Sequence, residues 1–145
     1  MNEIRKDNLY KTNVLDYLEM TVQKYPERTA VDDGQLAFTW KELESAARTI
    51  GSALSRRVPP RSPVPVLMEK SSLTLAVMLG IVYAGGFYVP VNPVNPPERI
   101  KKILRVLNTE IIIAEKTVAD SLLKDVPDIK QITAEQLLSE ETDRE

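Results

Sequence analysis

The stretch from Leu73 to Val91 is the most apolar in the chain, and it is broken: Gly85 and Gly86 interrupt it and Pro90 falls inside it. A bilayer span needs about 20 predominantly apolar residues in a row. The stretch therefore reads as a buried helix followed by a buried strand. Leu73, Leu75, Ala76, Val77, Met78, Leu79, Ile81 and Val82 leave that helix with almost no polar face. Such a helix has to be covered on several sides. The middle of an α/β sandwich would do this, and so would further protein packed against it.

The flanking sequence supplies layers. Leu15, Leu18, Val22 and Tyr25 recur at helical spacing, predicting a helix over about Asn13 to Tyr25. Asn13 and Asp16 suit its start, and Pro26 stops it. The stripe would serve a partner or, as in most globular helices, the chain's own core. Thr29–Val31 and Leu36–Phe38 are short strand candidates around Asp32-Asp33-Gly34, a tight-hairpin signal because Gly accepts positive φ. Thr39 and Glu42 form a capping box, and Leu43, Ala47, Ile50 and Leu54 make one face of the helix it opens. That helix should end near Arg57, and Val58 to Pro65, with four prolines, reads as an extended loop.

Val64–Met68 then reads as a buried strand, and Ser71 or Ser72 as the cap of the apolar helix, which runs through Tyr83. Phe87–Val91 is another strand. Asn95, Pro96 and Glu98 open a helix whose face is Ile100, Ile103, Leu104 and Leu107. Ile111–Ala114 is a β-branched strand, a short helix from Thr117 to Lys124 follows, and Ile129–Ile132 is a weaker strand. Thr133 and Gln136 form a second capping box, for a short helix through Leu138. Strands alternating with helices imply an α/β fold: a mostly parallel sheet with helices on its faces. Residues 1–12 read as an N-terminal tail, 13–138 as the folded unit and 139–145 as an acidic, frayed tail.

Composition removes whole classes of chemistry. With no Cys and no His there is no disulfide, thiol nucleophile, Ser-His-Asp triad or imidazole metal site. Nineteen basic against 21 acidic residues give no electrostatic footprint for nucleic acid. Met1 to Lys11 is polar, without the apolar run of a signal peptide. A Cys-free chain of this kind suits the cytoplasm.

The remaining candidates for chemistry are few. Asp32 and Asp33 are adjacent carboxylates that could suggest magnesium, but one pair in a turn reads first as the turn itself. Arg56, Arg57 and Arg61 form a basic cluster, either a phosphate site or a solvated helix end. Arg99, Lys101, Lys102 and Arg105 read as solvated faces of their helix rather than a binding patch. Gly80 and Gly85 have the first spacing of a Walker loop, but Phe87-Tyr88 follows Gly86 where Lys and a hydroxyl are needed. Lys70 beside Ser71 and Ser72 is the remaining turn where a helix N-terminus might hold an anion weakly.

Phe38-Thr39-Trp40-Lys41-Glu42-Leu43 resembles the first core motif of amino-acid adenylation domains, roughly L-T-Y-x-E-L. The run Gly80-Ile81-Val82-Tyr83-Ala84-Gly85-Gly86-Phe87-Tyr88-Val89-Pro90-Val91-Asn92-Pro93 resembles the second, roughly L-K-A-G-x-A-Y-V-P-L-D-P. Pro97-Glu98-Arg99-Ile100 is similar to its P-x-E-R-I continuation. The likeness spans about Asn13 to Leu138. It points to the adenylate-forming ligases of nonribosomal peptide synthetases and D-alanine–carrier protein ligases, and to an N-terminal subdomain within them. Asn92 stands where Asp is commoner.

The resemblance implies, for a complete enzyme, activation of a carboxylic acid with Mg-ATP to an acyl-adenylate, then transfer to a carrier-protein phosphopantetheine thiol. The Ser/Thr/Gly-rich phosphate loop, the Y-G-x-T-E motif, the ribose-binding Asp motif and the C-terminal catalytic Lys of that family are not among these 145 residues. The motifs that are present mainly build scaffold in the family, so no catalytic, cofactor-binding or metal-binding residue is assigned. The expectation is an N-terminal fragment, inactive alone, whose partners are the rest of the ligase, a carrier protein and conceivably a second copy of the chain through exposed apolar surface. The alternative is a stand-alone binding or interaction module that lost the catalytic motifs. An exposed apolar patch of more than a few hundred Å² would favour the fragment or an oligomer. A third reading, an independent nucleotide binder, depends on one of two turns, Glu69-Lys70-Ser71-Ser72 or Asn92 to Pro97, neither of them glycine-rich.

Overall fold

A computed structural model of the chain describes residues 13–122, 126 and 128–140. The tail at 1–12, the end of the helix expected through Lys124 and residues 141–145 lie outside them. Helix α1 (Val14–Lys24) starts at Asn13, whose side chain accepts from the Leu15 N–H at 3.0 Å. Strands β1 (Thr29–Asp32) and β2 (Ala37–Thr39) form an antiparallel pair. Its loop is Asp33 to Leu36, longer than the tight Asp-Gly turn expected, because Asp33 Oδ1 accepts from both the Gln35 and Leu36 N–H groups. Gly34 takes the left-handed φ of 87° that this loop requires.

Helix α2 (Trp40–Ser55) begins with the expected capping box, both halves formed at 2.8 and 3.1 Å. The core α/β unit follows: β3 (Pro63–Leu67), α3 (Ser72–Tyr83), β4 (Phe87–Pro90), α4 (Pro97–Leu107), β5 (Ile111–Ala114), α5 (Lys116–Leu122), β6 (Lys130–Ile132) and α6 (Ala134–Ser139). The four strands pair in parallel, in the order β4-β3-β5-β6. Crossover helices cover both faces, as parallel pairing demands.

The faces differ. Val64, Val66, Ile111, Ile113 and Ile132 pack with α1, α2, α3 and α6 in the larger core. Leu67, Val91, Ile112 and Ala114 pack with Ile100, Leu104 and Leu122 in the smaller one. On the larger side α2 and α3 cross closely. A Cβ on Gly80 would lie 2.6 Å from Ile50 Cγ2, and one on Gly51 2.6 Å from Tyr83 Cβ. Glycine at both positions is what lets the two helix backbones approach.

Three local expectations change. The strand expected from Val64 begins instead at Pro63 and includes Pro65, although proline in a strand removes a donor. Ser62 and Val66 carbonyls accept from Phe87 and Val91 on β4, so Pro63 and Pro65 face β5. There only Val66↔Ile113 and Leu67↔Ala114 pair, and no ladder bond is lost on the β4 side. Helix α4 is entered through Pro96 with Pro97 as its first residue, and Asn95 does not cap it. Lys101, expected in solvent, is buried and its Nζ lies 3.2 Å from Glu98 Oε1. Arg99, Lys102 and Arg105 are exposed as expected.

Candidate functional site

In an open parallel sheet, ligands favour the carboxyl ends of the strands where the connections diverge. Here β3 leads through α3 outward to β4, while β5 leads through α5 outward to β6. The divergence therefore lies between β3 and β5, and Met68 to Ser72 form its rim. This is the Lys70-Ser71-Ser72 turn singled out from sequence.

Several of its polar groups are already engaged by the protein. Asp33, 39 positions away, sends Oδ2 to the Ser72 N–H at 2.9 Å. Ser72 Oγ donates to the Leu36 carbonyl at 2.8 Å. Ser71 Oγ accepts from the Thr74 N–H at 3.1 Å, and Thr74 Oγ1 donates to the Glu69 carbonyl. The helix end is thus capped by a carboxylate of the chain itself, as its dipole favours. The Ser72 N–H, with those of Leu36 and Gln35, holds the Asp33 carboxyl down at about 2 against an ordinary 3.8. The turn does not fit a triphosphate cradle: it has no glycine, and Asp33 and Ser71 already take the Ser72 and Thr74 N–H groups. Asp33 serves the loop and α3. Among the described residues no group of three or more Asp or Glu is placed to hold a metal.

The arginine cluster resolves in a related way. Arg56 Nη2 lies 2.9 Å from Glu140 Oε2, and the Arg57 guanidinium pairs with the same carboxylate. First Arg57 and then Arg56 hold Glu140 down at about 2. Glu140, in the region read as a frayed tail, ties the end of α6 to the end of α2. Arg61 stands apart, with a left-handed φ of 63° and its N–H on the Gly85 carbonyl. A polar cleft of about 600 Å³ beside Arg57, lined by Glu110, Asp128 and Lys130, sits at the amino ends of β5 and β6, away from the divergence.

The motif residues hold scaffold positions. Thr39 caps α2 and Trp40 packs on the larger core. Gly80 admits α2. The Tyr83 hydroxyl donates to Glu19 at 3.0 Å while Arg48 lies over its ring at 4.8 Å, so one clasp joins α1, α2 and α3. Burial, and then the bond to Glu19, push that hydroxyl up to about 12. Gly85 takes a φ of 84° to end α3. Sequence patterning finds Tyr83, at the end of its helix, but not its meeting with Glu19 across 64 positions or that of Arg48 with Glu19 across 29.

The sequence pattern of the family described as AMP-binding enzyme matches residues 18–145. The chain belongs to that family. Among curated AMP-binding relatives, nonribosomal peptide synthetase sidE of Aspergillus fumigatus is 38% identical over 100 residues, which is 68% of this chain and 5% of that protein. The nonribosomal peptide synthetase FmoA3 has the same fold with a TM-score of 0.76 and 29% identity, over 85% of this chain and 13% of that one. The N-terminal subdomain of Klebsiella oxytoca NpsA shares the fold with a TM-score of 0.71 at 21% identity, over 88% of this chain and 32% of that one. The α/β unit is thus an N-terminal part of an adenylation domain, and it spans only a few per cent of its curated synthetase relatives: 5% of sidE and 2% of nonribosomal peptide synthetase atnA of Emericella nidulans.

Proposed function

We propose that this chain is the N-terminal portion of an adenylate-forming ligase of the nonribosomal peptide synthetase type, and that it is inactive by itself. In the complete enzyme it forms one wall of the large domain that activates a carboxylic acid with Mg-ATP. The acyl-adenylate then passes its acyl group to the phosphopantetheine thiol of a carrier protein, in the cytoplasm. The observation that carries this reading is the family match over residues 18–145, joined to the absence of the phosphate loop and catalytic Lys motifs from the sequence. Adenylation requires donors and cations arranged around a triphosphate as its charge shifts. At the start of α3 the Ser72 and Thr74 N–H groups are taken by Asp33 and Ser71.

Amino-acid-dependent ATP–pyrophosphate exchange tests the proposal. The purified 145-residue chain should show none with any proteinogenic amino acid. Exchange by the chain alone would overturn it.

A further inference from the structure

The seam between β3 and β5 has a donor missing. The pairs Val66↔Ile113 and Leu67↔Ala114 set the Leu67 N–H against the Ile113 carbonyl. Two residues back, the same alternation sets the Ile111 carbonyl against the nitrogen of Pro65, which carries no hydrogen. The other side of β5 agrees with this phase. The Lys130 N–H donates to the Glu110 carbonyl at 2.8 Å, so Glu110 faces β6 and Ile111 faces β3. Pro65 and Ile111 are both buried. A buried carbonyl left without a donor costs more than an ordinary hydrogen bond contributes.

Thr109 supplies the donor. Its Oγ1 donates to the Ile111 carbonyl at 3.0 Å and lies 3.5 Å from the Pro63 carbonyl on the other strand. The same oxygen accepts from the Ile111 N–H at 3.4 Å. The hydroxyl thus stands between β3 and β5, and its single hydrogen goes to the nearer acceptor. Asn108, at a left-handed φ of 50°, turns the chain out of α4 and brings Thr109 to this place. A cavity of about 230 Å³, lined in part by Ser62, Pro63, Thr109 and Ile111, opens at the same end of the seam. Water admitted there is the competitor for the Ile111 carbonyl.

We infer that Thr109 is the latch of the β3–β5 seam: its hydroxyl replaces the N–H that Pro65 lacks and keeps water out of the amino end of the junction. Serine at this position can do the same, whereas valine, of nearly the same shape, cannot. A residue with an N–H at position 65 makes the latch unnecessary, because that N–H faces the Ile111 carbonyl.

Hydrogen exchange of the 145-residue chain, followed amide by amide, tests this. In Thr109→Val the Leu67 and Ile113 amides, which span the seam, should exchange about tenfold faster. Those of Phe87 and Val91, which donate to β3 from the other side, should keep the parent's rates. Thr109→Ser should match the parent, and adding Pro65→Ala should abolish the effect of Thr109→Val. The latch is overturned if the seam amides of Thr109→Val keep the parent's rates or if all four amides accelerate alike. It is equally overturned if Thr109→Ser opens the seam as Thr109→Val does, or if Pro65→Ala leaves the effect of Thr109→Val unchanged. Should Thr109→Val fail to fold, folding restored by Pro65→Ala supports the latch, and continued failure overturns it.

Discussion

The two faces of the sheet are built by opposite strategies. On one side α3 is apolar all round, and it is wedged between the sheet and α2, touching the latter through Gly51 and Gly80. On the other side α4 is amphipathic, with Ile100 and Leu104 inward and Arg99, Lys102 and Arg105 in water. Nineteen buried residues make the first core and seven the second, among the described residues. A side chain in the larger core is hemmed in by more buried neighbours and has less room to relax, whereas one under a helix with a solvent face can settle onto a gap. The difference teaches that equal truncations on the two faces should not have equal effects.

The sharpest comparison sets Leu54→Ala against Leu104→Ala. Both side chains are almost fully buried. Leu54→Ala, in the confined core, should destabilise by about 4 kcal/mol, and Leu104→Ala by about 2 kcal/mol, as the cost depends on how well the site collapses. Urea unfolding of the two variants reads the gap, and equal losses would break the comparison. Gly80→Ala probes the crossing from the other direction. Its added Cβ meets Ile50 and the Ala47 carbonyl, so overpacking should cost about 2 kcal/mol by the same measurement. Thr39→Ala removes one half of a capping box, and thermal unfolding should show a loss of about 1 kcal/mol.

The smallest effect is electrostatic and depends on pH. The Asp33 carboxyl sits at about 2 in the fold against 3.8 ordinarily. Its folded value is depressed, so its contribution is fully present above pH 3.8 and is lost as pH falls from there towards 2. Asp33→Asn should unfold more easily than the parent at pH 7, with the difference shrinking below pH 3.8. Urea midpoints between pH 7 and pH 2.5 check this. The carboxyl is exposed, so added salt should also narrow the difference.

Much of the larger core was legible in the sequence. Helical stripes and two capping boxes, at Thr39/Glu42 and Thr133/Gln136, located α2 and α6, because both signals depend on neighbours within four positions. Leu73 to Val82 announced a helix covered on several sides, and only Leu75 among these apolar residues is exposed. Contacts across long separations were not legible. Nothing local to Asp33 says that it will reach Ser72, and nothing local to Lys101 says that it will be buried beside Glu98. Pro63 misleads for a related reason: a proline argues against a strand until it is known which neighbour its missing N–H would have faced. At the candidate site the sequence singled out the turn at Lys70 to Ser72. It could not show that Asp33 would take the Ser72 N–H.

That placement of prolines has a mechanical consequence. β3 pairs with β4 through four registered positions, and β5 with β6 through three, but β3 and β5 are joined through two. The sheet is two ribbons stitched along a sparse seam, and the seam runs through the divergence between β3 and β5. Under load or on heating, tearing should start there, parting the molecule along the line that its strand order already marks as a cleft.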